Sequence, residues 1–141
     1  MRAARIIKMA KDIVKLWKTN DPYEIAEKLG IEVVERKINI NGFKAHTIKT
    51  EGYPTIIAIN NNYADISKKV LCAHELGHAL LHSEGINHFD VTSKNAMTNV
   101  EYEANLFALA LLVDEDKLNM PMGKMSNYTI KTILDYNIYE E

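Results

Sequence analysis

Cysteine is almost missing: Cys72 is the only one in 141 residues, so no intrachain disulfide can form and a disulfide-stapled secreted scaffold is excluded. Excess charge of one sign is also lacking. Seventeen basic against nineteen acidic side chains leave a net charge of -2, which gives no global electrostatic reason to expect direct nucleic-acid binding or an anionic membrane. No apolar run approaches the roughly 20 residues that span a bilayer. The N-terminal segment is broken by Arg2, Arg5, Lys8, Lys11, Asp12 and Lys15, and so lacks the core of a signal peptide. Together these absences point to a cytoplasmic chain. Asn127-Tyr128-Thr129 matches a glycosylation acceptor, but that reading requires secretion.

What remains is ordinary globular material, 47% apolar and 26% charged, of a length that suits one domain over residues 1–141. Apolar Ile6, Ala10, Ile13, Val14 and Trp17 recur at helical spacing, with Lys8, Lys11, Lys15 and Lys18 on the other side, predicting an amphipathic helix over 3–18. Asp21-Pro22 opens a second helix and Gly30 closes it, the two forming a hairpin. Segments 31–38, 43–49 and 55–59 are short and β-branched, predicting three strands with Asn41-Gly42 as a hairpin turn. A helix follows over 66–82, then a polar loop over 83–97. Thr98 and Glu101 make a capping box for a fourth helix running to 113. A last helix is expected over 128–136.

The chemistry is carried by His74-Glu75-Leu76-Gly77-His78. Residues four apart lie one above the other on a helix, so both rings can share one ion, and imidazole nitrogen suits zinc. Glu75 is about 100° further round, within reach of a metal-associated water, where a carboxylate serves as general base. Gly77 costs about 1 kcal/mol relative to alanine in a helix interior, which implies a close neighbour there. Cys72 lies about 200° round the helix from His74, which argues for packing and against peptide deformylase, whose cysteine ligand comes from a separate strand.

A catalytic zinc site needs a third protein ligand, and the fourth helix offers Glu101 and Glu103. The two point some 160° apart, so at most one faces the ion. Glu101 is expected to fold back onto the Thr98 amide, whereas Glu103 shares a face with Leu106, Phe107 and Ala110. A carboxylate on an apolar face needs a partner, so Glu103 is the predicted ligand. His46, Tyr53, His82 and His88 are candidate donors to a transition-state oxyanion. His82 could instead orient the metal site from one turn beyond His78.

Val70-Leu71-Cys72-Ala73-His74-Glu75-Leu76-Gly77-His78-Ala79-Leu80-Leu81-His82, with Glu101-Tyr102-Glu103-Ala104-Asn105-Leu106-Phe107-Ala108, resembles the ImmA/IrrE family of metallopeptidases over residues 25–112. The resemblance implies an α+β fold: a small zincin-like, minimal gluzincin domain with a short antiparallel or mixed three-stranded sheet packed on helices and the motif on the central helix. It implies one catalytic Zn2+ held by His74, His78 and Glu103, with Glu75 catalytic and the strand at 55–59 near the substrate cleft, where an extended substrate segment is expected to pair along it as an edge strand. It further implies hydrolysis of a protein substrate, a DNA-binding helix-turn-helix repressor of a prophage, mobile element or stress response, making the chain an anti-repressor. The alternative is a metal-dependent regulator that binds a repressor without cutting it. The chain departs from the family in having Val113-Asp114 where Met-Pro is usual.

Overall fold

The computed structural model describes residues 3–39, 42–82 and 94–140, with the backbone alone for 94–98. The chain runs α1 (Ala3–Trp17), α2 (Pro22–Lys28), β1 (Glu32–Arg36), β2 (Ala45–Ile48), β3 (Ile56–Asn60), α3 (Asp65–Leu81), α4 (Lys94–Leu112), two single 3-10 turns and α5 (Asn127–Asp135). This is the expected α+β class. No helix among the described residues is long and apolar enough to cross a membrane.

The periodicity of α1 buries Ile6 and Ala10, but its partner is α4 rather than α2. The expected helical hairpin is therefore absent. Lys18 takes a left-handed φ of 57° after α1, and Asp21 caps α2 by accepting from the Tyr23 amide at 3.0 Å. From there α2 packs on α3 and β1.

The sheet is three-stranded and mixed, in the order β1-β3-β2. β1 runs parallel to β3 with Glu32 opposite Ile56, and β2 runs antiparallel with Ala45 opposite Ile59. Two expectations change. β1 and β2 are not neighbours, so Asn41-Gly42 is no two-residue hairpin turn; Gly42 has a φ of 82°, and Asn41 lies outside the described residues. β3 is central, so the segment at 55–59 cannot be the open edge, which belongs to β1 and β2. Asn60 Nδ2 donates to the Ile38 and Phe43 carbonyls at 3.1 and 2.9 Å and so binds both ends of the β1–β2 connection to the end of β3.

Ile57 and Ile59 face the helices, and Thr47, opposite Ile57, shares that face at 4% exposure. α4 is the most enclosed helix, buried at every residue from Ala104 to Leu111 and packed on α1, α3 and α5. It begins at Lys94, so position 98 is inside the helix and the predicted capping box does not form. Residues 94–97, expected in the loop over 83–97, are helical, and residues 83–93 lie outside the described part. Leu112 ends α4, and Asp114 caps the following 3-10 turn through the Asp116 amide at 3.1 Å, which gives the departure at Val113-Asp114 its structural role.

Candidate metal centre

α3 keeps its helical bonding through the whole motif, which sets His74 and His78 one turn apart with ring centroids 4.6 Å from each other. Their Nε2 atoms converge to 3.1 Å. The third group at this point is Glu101, not Glu103: Glu101 Oε1 is 3.0 Å from His78 Nε2 and Oε2 is 3.4 Å from His74 Nε2. One ligand atom from each of His74, His78 and Glu101 lies within 4.8 Å of the others. A tetrahedral ion with bonds of about 2.0–2.1 Å separates its ligand atoms by about 3.3 Å, close to the 3.1 Å between the two Nε2 atoms, while Glu101 meets the two rings with different oxygens.

Two premises behind the choice of Glu103 fail. With α4 starting at Lys94, nothing draws Glu101 back to residue 98. Because α4 is buried all round from Ala104, sharing a side with Leu106, Phe107 and Ala110 marks no single direction. Glu103 instead accepts from His82 Nε2 at 2.9 Å. The helix-to-helix register is set by Gly77. A Cβ there would lie 3.1 Å from both Cα and O of Ala104 and 3.2 Å from Phe107 Cβ. With Ala104 seated on Gly77, the preceding turn brings Glu101 to the histidines and the next residue, Asn105, reaches His74. The intruder expected at Gly77 is thus the backbone of α4.

Each ring is held from behind. His74 Nδ1 donates to Asn105 Oδ1 at 2.7 Å, and Asn105 Nδ2 donates to Asn127 Oδ1 at 3.0 Å. His78 Nδ1 lies 3.1 Å from His82 Nδ1. Lys49 Nζ donates to the Ala79 and His82 carbonyls at 3.0 and 2.6 Å, closing the C-terminal end of α3 where the helix leaves carbonyls without partners.

Glu75 is buried, with Oε2 3.9 Å from His74 Nε2 and Oε1 accepting from Thr47 Oγ1 at 2.7 Å. The same hydroxyl lies 3.1 Å from the Glu75 carbonyl. One carboxylate oxygen is therefore tied to β2 while the other faces the histidines. Thr47 and Asn105 escaped sequence reasoning. Asn105 stands one turn after Glu101, a spacing that puts both on one side of α4 and could have indicated the pair. Thr47 carried no comparable signal, since its contact crosses from sheet to helix.

Burial opposes a charge on His74, yet Glu101, Glu75 and Asn105 together outweigh it and hold the pKa above the ordinary histidine value. Burial also opposes ionisation of Glu101, but hydrogen bonding to His74 and His78 holds its carboxyl well below the usual range. Burial lowers the pKa of His82 against the pull of Glu103. Burial pushes the Cys72 thiol up, consistent with the packing role expected of it.

The triad and Glu75 line a cleft of about 320 Å³ whose walls include Lys44, Ala45 and His46 of the β2 side and Lys131, Leu134 and Asp135 of α5. Of the four candidate oxyanion donors, His46 lines this cleft, while Tyr53 and His82 do not. His88 lies outside the described residues.

Known proteins bear on this geometry. The chain is 32% identical over 106 residues to immunity region protein 2 of Bacillus phage phi105, covering 73% of this chain and 65% of that protein. It is 30% identical over 129 residues to metallopeptidase ImmA of Bacillus subtilis strain 168, covering 89% of this chain and 73% of that protein. No solved structure matches. The model of the IrrE N-terminal-like domain, peptidase M78, matches residues 26–129, which include both motif blocks and every side chain of the centre. The chain belongs to this IrrE N-terminal-like family of metallopeptidases.

Proposed function

We propose that the chain is a zinc peptidase in which His74, His78 and Glu101 hold the ion and Glu75 is the catalytic base. The observation that carries this reading is the convergence of two imidazole nitrogens and a carboxylate within 4.8 Å of one another beside a second, separately tethered carboxylate. When bound, zinc supplies a Lewis acid that polarises the scissile carbonyl and acidifies water. Glu75 Oε2, facing the triad, accepts the proton of the attacking water and delivers it to the leaving amine. Thr47 keeps the other oxygen engaged, so the carboxylate has one working atom. His46 is the donor we assign to the developing oxyanion, since it lines the cleft.

β2 is an edge strand beside this cleft, and an extended substrate segment pairs its backbone there. The names of the two relatives, an immunity region protein and ImmA, support a phage-type or mobile-element setting, in which the substrate is a helix-turn-helix repressor. Incubating the purified chain with zinc and the repressor encoded beside it should yield two fragments. Glu75→Gln should retain zinc and lower the cleavage rate by about 10²–10⁴-fold. If that variant still relieves repression at the wild-type level, binding rather than cleavage is the function.

A further inference from the structure

Glu103 and His82 lie outside the triad, yet they form a continuous hydrogen-bonded chain with one of its members. His78 Nδ1 meets His82 Nδ1 at 3.1 Å, and His82 Nε2 meets Glu103 Oε1 at 2.9 Å. We propose that Glu103 acts through His82 to fix the tautomer of His78, so that the pair are positioning residues for the metal; the inference rests on the zinc reading above.

With an ion in the centre, His78 presents a lone pair from Nε2 where it otherwise faces Glu101 at 3.0 Å, and for a neutral His82 hydrogen-bond bookkeeping then leaves one self-consistent assignment. An ionised carboxylate only accepts, so His82 must carry its proton on Nε2 and donate it to Glu103. In neutral His82, Nδ1 is then an acceptor. Facing it at 3.1 Å, His78 Nδ1 must carry the proton, which leaves the lone pair of His78 on Nε2, the atom that points at His74 and Glu101. With His82 neutral, reversing any one link places two N–H groups or two lone pairs against each other. His74 reaches the same state more simply, donating from Nδ1 to Asn105. The centre thus has two supports, Asn105 backed by Asn127 behind His74 and His82 backed by Glu103 behind His78.

The chain has little freedom to adopt another arrangement. His78 is 2% exposed, and His82 and Glu103 side chains are each 14% exposed. Lys49 holds the His82 carbonyl at 2.6 Å, fixing the backbone from which the ring reaches. Glu103 sits on α4 and His82 at the end of α3, so the relay also ties the two helices together one turn away from the Gly77 contact.

The test is zinc affinity of the full chain, measured by competition with a chromophoric chelator for wild type, His82→Phe, Glu103→Ala and the double variant. Each single variant should weaken binding by about 10–100-fold, the range of lost outer-shell partners. The double variant should bind no worse than His82→Phe, because in the relay Glu103 acts on the metal through that ring. Wild-type affinity in both single variants overturns the relay, and so does a double loss equal to the product of the two. Nitrogen NMR of the zinc-loaded wild-type chain gives a reading that needs no substitution. It should report Nε2–H for His82 and Nδ1–H for His78; Nδ1–H on His82 overturns the proposal. A wild-type chain that takes up no zinc overturns the metal reading and the relay with it. Zinc uptake without proteolysis removes only the peptidase reading and leaves the relay standing.

Discussion

α3 and α4 furnish the same centre from opposite kinds of helix. α3 carries its donors within one turn, so the His74–His78 spacing alone dictates that the rings meet. α4 contributes a single carboxylate from the turn before a stretch that is buried on every side from Ala104 to Leu111. For such a helix the hydrophobic pattern has no polar side to give direction, and the facing residue is decided by how it docks. The contact that decides it is Gly77 on Ala104.

The sharpest way to break this comparison is to exchange the carboxylates' fates. Glu101→Ala should reduce zinc affinity by well over the roughly 100-fold ceiling of an outer-shell loss, whereas Glu103→Ala should stay within it. Chelator competition on both variants measures the gap, and equal losses would sink the distinction between them.

Next in size is the docking contact itself. Gly77→Ala gains about 1 kcal/mol of helix propensity but forces a methyl against the α4 backbone. Overpacking of this kind costs about 1–3 kcal/mol, and the displaced helix carries Glu101 with it. Urea unfolding should show a net loss of stability, and the zinc-binding curve a parallel loss of affinity. A variant as stable and as avid as wild type would mean that α4 is located by its other contacts.

A smaller effect is expected where the sheet meets α3. Thr47→Val removes the hydroxyl at constant shape, and a hydrogen bond to a charged group is worth about 1.5–3 kcal/mol. kcat should fall about tenfold or more while KM and zinc content stay put, and Thr47→Ser should restore most of the rate. If valine and serine behave alike, the hydroxyl serves packing only.

The mildest perturbation is acid. Zinc needs an unprotonated His74, whose pKa in the metal-free chain lies above the ordinary histidine value. Apparent affinity should therefore be full above that raised pKa and fall as pH drops through it. The pairing of protonated His74 with Glu101 has the reverse sign for metal-free stability. It is present below the ordinary histidine pKa and lost as pH rises through the raised one. Isothermal titration across pH 5–9 with proton-release accounting follows the first trend, and flat affinity would contradict it.

Much of this was legible in the residues. The helix at 66–82 differs by one residue at each end from α3, Asn127–Asp135 was foreseen within one residue, and Gly77 announced its neighbour before that neighbour was known. The strands were legible as segments but not as a sheet. Their order is accompanied by Asn60 binding Ile38 and Phe43, a pairing over 22 and 17 residues that no local pattern encodes. The carboxylate nearest the histidines was masked by a capping signature at residues 98 and 101, which the helix overrides by starting at Lys94. Local hydrogen-bonding options lose to a longer helix when its apolar faces have α1, α3 and α5 to pack against.

The seclusion of Cys72 has one consequence beyond packing. With its only thiol fully buried and the triad composed of nitrogen and oxygen donors, the centre contains no sulfur that an oxidant could attack to eject the ion. Peroxide and disulfide stress, which strip metal from thiolate sites, would leave this one armed.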